Sequence, residues 1–161
     1  MPRTWTELGV LLAATVLCVG LLGGFRTGPP SNVLSPDRAS WRLTPGVANP
    51  DVTQENIGET ICTKGWTRTI RPPTDYTNEL KAQQMVEYHR AGSMSDYQED
   101  HLISLEVGGH PTDPRNLWPQ PIDRAVQVDG LENELNHQIC SGQVTLREGQ
   151  QRESNLKHTA G

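Results

Sequence analysis

Apolar and polar residues change rhythm several times along the 161 residues, and each change marks a boundary. Leu8 to Phe25 carries no charge; at ~1.5 Å per residue it makes about 27 Å of helix, close to a hydrocarbon core. Arg3 precedes the run and no Ala-x-Ala exit closes it, so residues 1–27 read as an uncleaved membrane anchor, with a cleaved signal peptide as the alternative. Residues 28–50 follow with Pro29, Pro30, Pro36, Pro45 and Pro50 among Ser, Asn and Asp, and with no apolar period. That is the pattern of a tether, in which Trp41 is the one aromatic.

From residue 51 to 161 the pattern becomes periodic, and its length suits one domain. Trp66–Ile70 alternates and is β-branched, which predicts a short strand ending at Arg71-Pro72-Pro73. Asn78 to Ala91 has helical period, with Ala82, Met85, Val86 and His89 on one stripe and Gly92 as its stop. His89 there reads as a structural histidine. After Asp100-His101, the run Leu102-Ile103-Ser104-Leu105-Glu106-Val107 predicts a strand that breaks at Gly108-Gly109. A proline-rich turn leads to a second strand opening at Asn116-Leu117-Trp118. Ile122 to Ile139 predicts a helix with Val128, Leu131, Leu135 and Ile139 on one face and Asp129, Glu132, Asn133 and Asn136 beside it. Gly130 within it costs up to ~1 kcal/mol against Ala. Val144-Thr145-Leu146 opens a last helix through Gln151, with a polar tail to Gly161. The fold class is α+β.

Composition changes this picture in two places. The net charge is -5, and Arg3 cancels Glu7, so the remainder keeps that balance. It argues against a broad basic nucleic-acid coat and leaves room for an enzyme that grips a few phosphates locally. Cys62 and Cys140 are the two cysteines beyond the N-terminal run. In an exported domain an even count reads as one disulfide, worth roughly 4 kcal/mol by restraining the unfolded chain; two buried thiols are the alternative. Neither has a Cys-x-x-Cys partner, which argues against a zinc site.

Asp100-His101-Leu102-Ile103-Ser104-Leu105-Glu106-Val107-Gly108-Gly109 and Asn116-Leu117-Trp118-Pro119 together resemble the HNH endonuclease family. The pattern covers about twenty residues strongly, and the form Asp-Pro-Arg-Asn-Leu-Trp-Pro looks like an exported bacterial subgroup in which a cysteine pair frames the core. The resemblance implies a ββα-metal core with flanking helices, secreted or membrane-anchored through residues 8–25, and acting on DNA more readily than on RNA. It implies a divalent cation, Mg²⁺ or Mn²⁺.

The residue types suit phosphodiester hydrolysis. His101 has the intrinsic pKa of a general base, and Asp100 offers a hard carboxylate to a cation. Asn116 would orient the base or pin its loop. The family's further ligand would stand near Ala125 or Val126, which cannot bind metal; Glu132, Asp129 and Asn133 are within reach, Glu132 foremost. Arg71, Arg115 and Arg124 are candidate phosphate contacts. His110 is a spare base or a loop residue, Glu106 faces solvent or fixes the loop, and His137 is structural or solvated. The alternative reading is an inactive HNH-like binding module at the cell envelope.

Overall fold

The strand that ends in the Asp100-His101 pair is built from polar residues, not from the apolar run that follows it. The computed structural model describes residues 37–160; the expected membrane segment at 8–25 and the first part of the expected tether lie outside them. Strand β1 is Tyr97–His101 and β2 is Leu117–Pro121. They pair antiparallel with Asp100 opposite Trp118 and His101 opposite Leu117. The expected strand at 102–107 is therefore a correction: Asp100 and His101 close a strand rather than open one. Leu102, Ile103, Leu105 and Val107 are all buried, odd and even positions alike. Leu102 joins Ala39, Tyr88 and Trp118, whereas Ile103 and Val107 join Val52, Ile61, Leu135, Ile139 and Leu146. Alternation there reports a loop covered on two sides, and Leu105–Val107 is one 3₁₀ turn.

Among the described residues four α-helices surround the hairpin: α1 Trp66–Ile70, α2 Thr74–Glu87, α3 Ile122–Cys140 and α4 Leu146–Thr159. α1 overturns the strand expected at Trp66–Ile70. β-branched residues favour a strand only where a neighbouring strand accepts the ladder, and among the described residues none pairs with this one. α2 begins four residues before the expected start and ends where His89 turns to φ 52°. Its buried residues are Leu80, Gln84 and Met85, while Val86 of the expected stripe is 74% exposed. α3 follows β2 directly and matches its expected face: Val128, Leu135 and Ile139 are buried and Leu131 packs on the same core.

α4 runs eight residues past the expected end at Gln151, opened by a capping box in which Thr145 and Glu148 exchange side-chain and backbone bonds. Its buried residues are Leu146, Gly149, Glu153, Lys157 and His158. The disulfide joins Cys62 to Cys140, Cα atoms 5.6 Å apart, and ties the loop before α1 to the end of α3. Such a bond suits an extracytoplasmic location. Among the described residues no helix is long and apolar enough to cross a membrane.

Residues 39–50, expected as part of the tether, lie along the domain. Ala39 N–H donates to the Lys157 carbonyl (3.0 Å), Asn49 N–H to that of Gly108 (2.9 Å), and His110 N–H to that of Val47 (2.8 Å). Thr44 is fully buried and donates through Oγ1 to the Leu117 carbonyl. Trp41 stacks on His158 with ring centroids 3.6 Å apart. Proline-rich composition shows that a segment is irregular; it does not show whether other elements accept its backbone hydrogen bonds.

Candidate functional site

Asp100 and His101 are neighbours in an extended strand, so their side chains leave on opposite faces. The site therefore has two halves.

On the His101 half, the ring is 7% exposed and its Nε2 stands 3.0 Å from the Pro111 carbonyl. A carbonyl only accepts, so Nε2 carries the proton and, in the neutral ring, Nδ1 keeps its lone pair. No hydrogen bond occupies Nδ1 among the described residues, and it is not one of the buried unpartnered atoms. Burial pulls the ring's pKa below its ordinary value; the Pro111 bond and the Asp100 charge oppose this, and Lys157 and Arg71 add to it. His101 is thus a neutral base at pH 7. Arg71 is exposed at the end of α1, close enough for its charge to be felt at the ring.

Asn116 holds the loop that holds His101. Its side chain is fully buried and its amide makes four bonds. Oδ1 accepts from Ile103 N–H (3.1 Å) and Val47 N–H (3.2 Å); Nδ2 donates to the carbonyls of Ile103 (3.0 Å) and His110 (2.9 Å). The amide therefore clamps the chain leaving β1, the 39–50 segment and the residue next to Pro111. Gly109 follows from this clamp: a Cβ there would stand 1.7 Å from the Ile103 carbonyl oxygen and 2.8 Å from Asn116 Nδ2. His110 builds the same loop, its Nδ1 accepting from Thr112 and Asp113 N–H.

On the Asp100 half the side chains converge on an ammonium. Lys157 is fully buried, and its Nζ lies 2.8 Å from Asp100 Oδ2, 2.7 Å from Glu132 Oε1 and 3.3 Å from Glu153 Oε1. It also donates to the His101 carbonyl at 2.6 Å. Glu153, also fully buried, accepts from Ser104 N–H with both oxygens (3.0 Å each). Burial pulls the lysine's pKa down, but the three carboxylates outweigh it and carry the pKa above its ordinary value. Desolvation raises Glu132 to about 8, against the pull of Lys157 and with the push of Asp100 and Glu153. Glu153 is raised for the same first reason.

The sequence placed Asp100 and Glu132 as partners around a cation, and they do share one. The cation is a side chain, however. A divalent ion held by Asp100 Oδ2 and Glu132 Oε1 would have to stand where Nζ stands. With the ammonium in place, this pair of oxygens does not fit a metal. Asp129, the other candidate ligand, is exposed on α3 and lies outside the cluster. Among the described residues no group of three or more His, Cys, Asp or Glu is arranged to hold a metal ion.

The remaining candidates separate. Arg115 is exposed and forked onto Asp113, Nε to Oδ1 at 3.0 Å and Nη2 to Oδ2 at 2.6 Å. Arg124 donates to the Ala160 carbonyl at the end of α4. Glu106 fixes the loop through its carbonyl, which accepts from Asn136 Nδ2 (2.8 Å), and His137 is exposed.

Three residues escaped the sequence reading. Glu153 and Lys157 stand an i,i+4 step apart on the stripe of Leu146 and Gly149, a signal visible only once α4 is extended past Gln151. Glu99 lies two residues before His101 on the same face, with both carboxylate oxygens buried and unpartnered among the described residues. Desolvation, aided by Asp100 and opposed by Lys81, raises it to about 8, so it is protonated at neutral pH. The chain matches no protein-family model, no curated protein and no solved structure.

Proposed function

We propose that the chain is an HNH-like phosphodiester hydrolase with a ββα core, acting on nucleic acid, DNA foremost, outside the cytoplasm as a secreted or membrane-anchored domain. The observation that carries this reading is the mount of His101: Nε2–H fixed on the Pro111 carbonyl, the loop pinned by Asn116, and Nδ1 left open. A general base needs that orientation and a neutral ring at working pH.

In the proposed reaction Nδ1 takes a proton from water. The water oxygen bonds to phosphorus as the bond to the departing sugar oxygen breaks, and that oxygen takes a proton from solvent. Arg71, near His101 and exposed, is the candidate for the phosphate oxygens. Arg115 and Arg124 are weaker candidates, since each already holds a partner. The expected Mg²⁺ or Mn²⁺ takes no step in this proposal because Lys157 fills the space between its donors.

The test is nicking of plasmid and single-stranded DNA by the full chain, disulfide intact, beside His101→Gln. Cleavage by the parent that the variant lacks supports the reading. Equal cleavage by both removes His101 from the chemistry. The filled cation position favours a second reading, a non-catalytic binding module, and DNA binding without cleavage by the folded chain is its outcome.

A further inference from the structure

We infer that Lys157 is the resident cation of this site, standing permanently between Asp100 and Glu132, so that the site works without a divalent ion. The inference deepens the hydrolase reading by naming the site's cation, and it rests on geometry that holds whether or not the chain cleaves DNA.

Three observations carry it. Nζ is within hydrogen-bond distance of the two carboxylates that the sequence pattern offers to a metal, at 2.8 and 2.7 Å. It is also bonded to the His101 carbonyl at 2.6 Å, so one ammonium touches the side chain of one motif residue and the backbone of the next. And it is not a surface lysine that has folded inward. Its side chain is fully buried, α4 presents it on the same face as Leu146 and Gly149, and Glu153 one turn earlier braces both it and the Ser104 N–H. Displacing Nζ to admit a metal would strip a buried ammonium of two of its four acceptors, a cost that grows with burial.

The role follows from the contacts. Lys157 neutralises Asp100 at the strand end and holds the His101 carbonyl, which restrains the backbone from which the base projects. It is a positioning residue, since its burial keeps it from the substrate. An ammonium supplies no Lewis acid and lowers no water pKa, so deprotonation of the attacking water falls to His101 alone, and the rate should be modest but indifferent to chelators.

The test uses Mn²⁺ itself as the probe, read by the loss of its free electron-paramagnetic-resonance signal on titration into the full chain. The wild type should leave the signal unchanged, and its melting temperature should move by no more than about 1 °C with Mn²⁺ or chelator. Lys157→Ala, where it folds, should bind one Mn²⁺, and a further Asp100→Asn should abolish that binding. A wild type that binds one Mn²⁺, lost in Asp100→Asn, overturns the inference, as does a folded Lys157→Ala that takes up none. Should Lys157→Ala fail to fold, the wild type and Asp100→Asn decide it between them. DNA nicking that persists in chelator agrees with both proposals. Absence of nicking in every buffer defeats the hydrolase reading and leaves the Mn²⁺ result to judge the cation.

Discussion

Asp100 and His101 are adjacent in one strand and meet opposite treatment. The Asp100 side is saturated: its carboxylate, two glutamates and a lysine satisfy one another inside the protein. The His101 side is left incomplete: one ring nitrogen is fastened, and among the described residues the other has no partner and nearby Glu99 has two buried oxygens with none. A saturated cluster gives a fixed frame, whereas an open nitrogen gives chemistry. The strand joins them, so the rigidity of one face is delivered to the other one residue away. The comparison is also electrostatic. Charge is paired within the fold on the Asp100 side, and on the His101 side burial holds the groups neutral.

The largest expected effect tests the open face. His101→Gln can still donate to the Pro111 carbonyl but cannot serve as base, so cleavage should fall about 10²- to 10⁴-fold, measured at saturating DNA. Lys157→Met tests the saturated face. It strips the buried Glu153 and the half-buried Asp100 and Glu132 of their shared cation and should cost about 3–5 kcal/mol in urea unfolding at pH 7; a loss below 1 kcal/mol would mean the cluster is not the frame. Asn116→Ala, which removes the partner of four backbone groups, two of them buried, should cost about 3 kcal/mol and lower cleavage with it. Asn116→Asp should recover little, because a carboxylate cannot donate to the Ile103 and His110 carbonyls.

Two predictions concern pH. Glu99 is raised to about 8 in the fold from an ordinary 4.5, so the folded state holds its proton more tightly than the unfolded one. Its contribution to stability is present at acid pH and lost as pH rises through that window. Glu99→Gln should therefore flatten the loss of stability between about pH 5 and 8, gaining on the order of 2 kcal/mol at the upper end. An unchanged pH profile would place Glu99 in water. His101 is shifted the other way. Its lowered pKa keeps it neutral through pH 6.5, and the acid limb of the cleavage profile should lie below that value. For stability, protonation then favours the unfolded chain as pH falls below the ordinary histidine value. The smallest effect is expected at Trp41, whose stack on His158 should be worth about 1 kcal/mol when replaced by Ala.

Parts of this arrangement were legible in the chain and parts were not. The resemblance implied that Asn116 orients the base or pins its loop, and its amide bonds the chain leaving β1 and the loop at His110. α3 read correctly because its apolar face recurs over about three turns from Val128 to Ile139, and its neighbouring polar residues put Glu132 within reach of Asp100. The disulfide followed from two cysteines in a domain expected to be exported. Trp66–Ile70 misread because five residues of β-branched alternation suit either a strand or one helical turn until a neighbour is present to pair. The apolar run after His101 misread because alternation measures burial on two sides as readily as a pleat. The end of α4 misread because Glu153 and Lys157 look like solvent residues to any local rule.

By itself, then, the chain determined the local devices: the Asp-His pair, the asparagine clamp, the glycine pair that lets two backbones close, and the amphipathic face of α3. The residue types of each stand within a few positions of one another, where spacing and chemistry act directly. Only the tertiary structure decided which cation stands between Asp100 and Glu132, since Lys157 arrives from 57 positions away in the chain. Burial makes the difference: a lysine is a solvated charge until three carboxylates and a carbonyl replace its water, and that replacement exists only when α3, α4 and β1 have closed on one another.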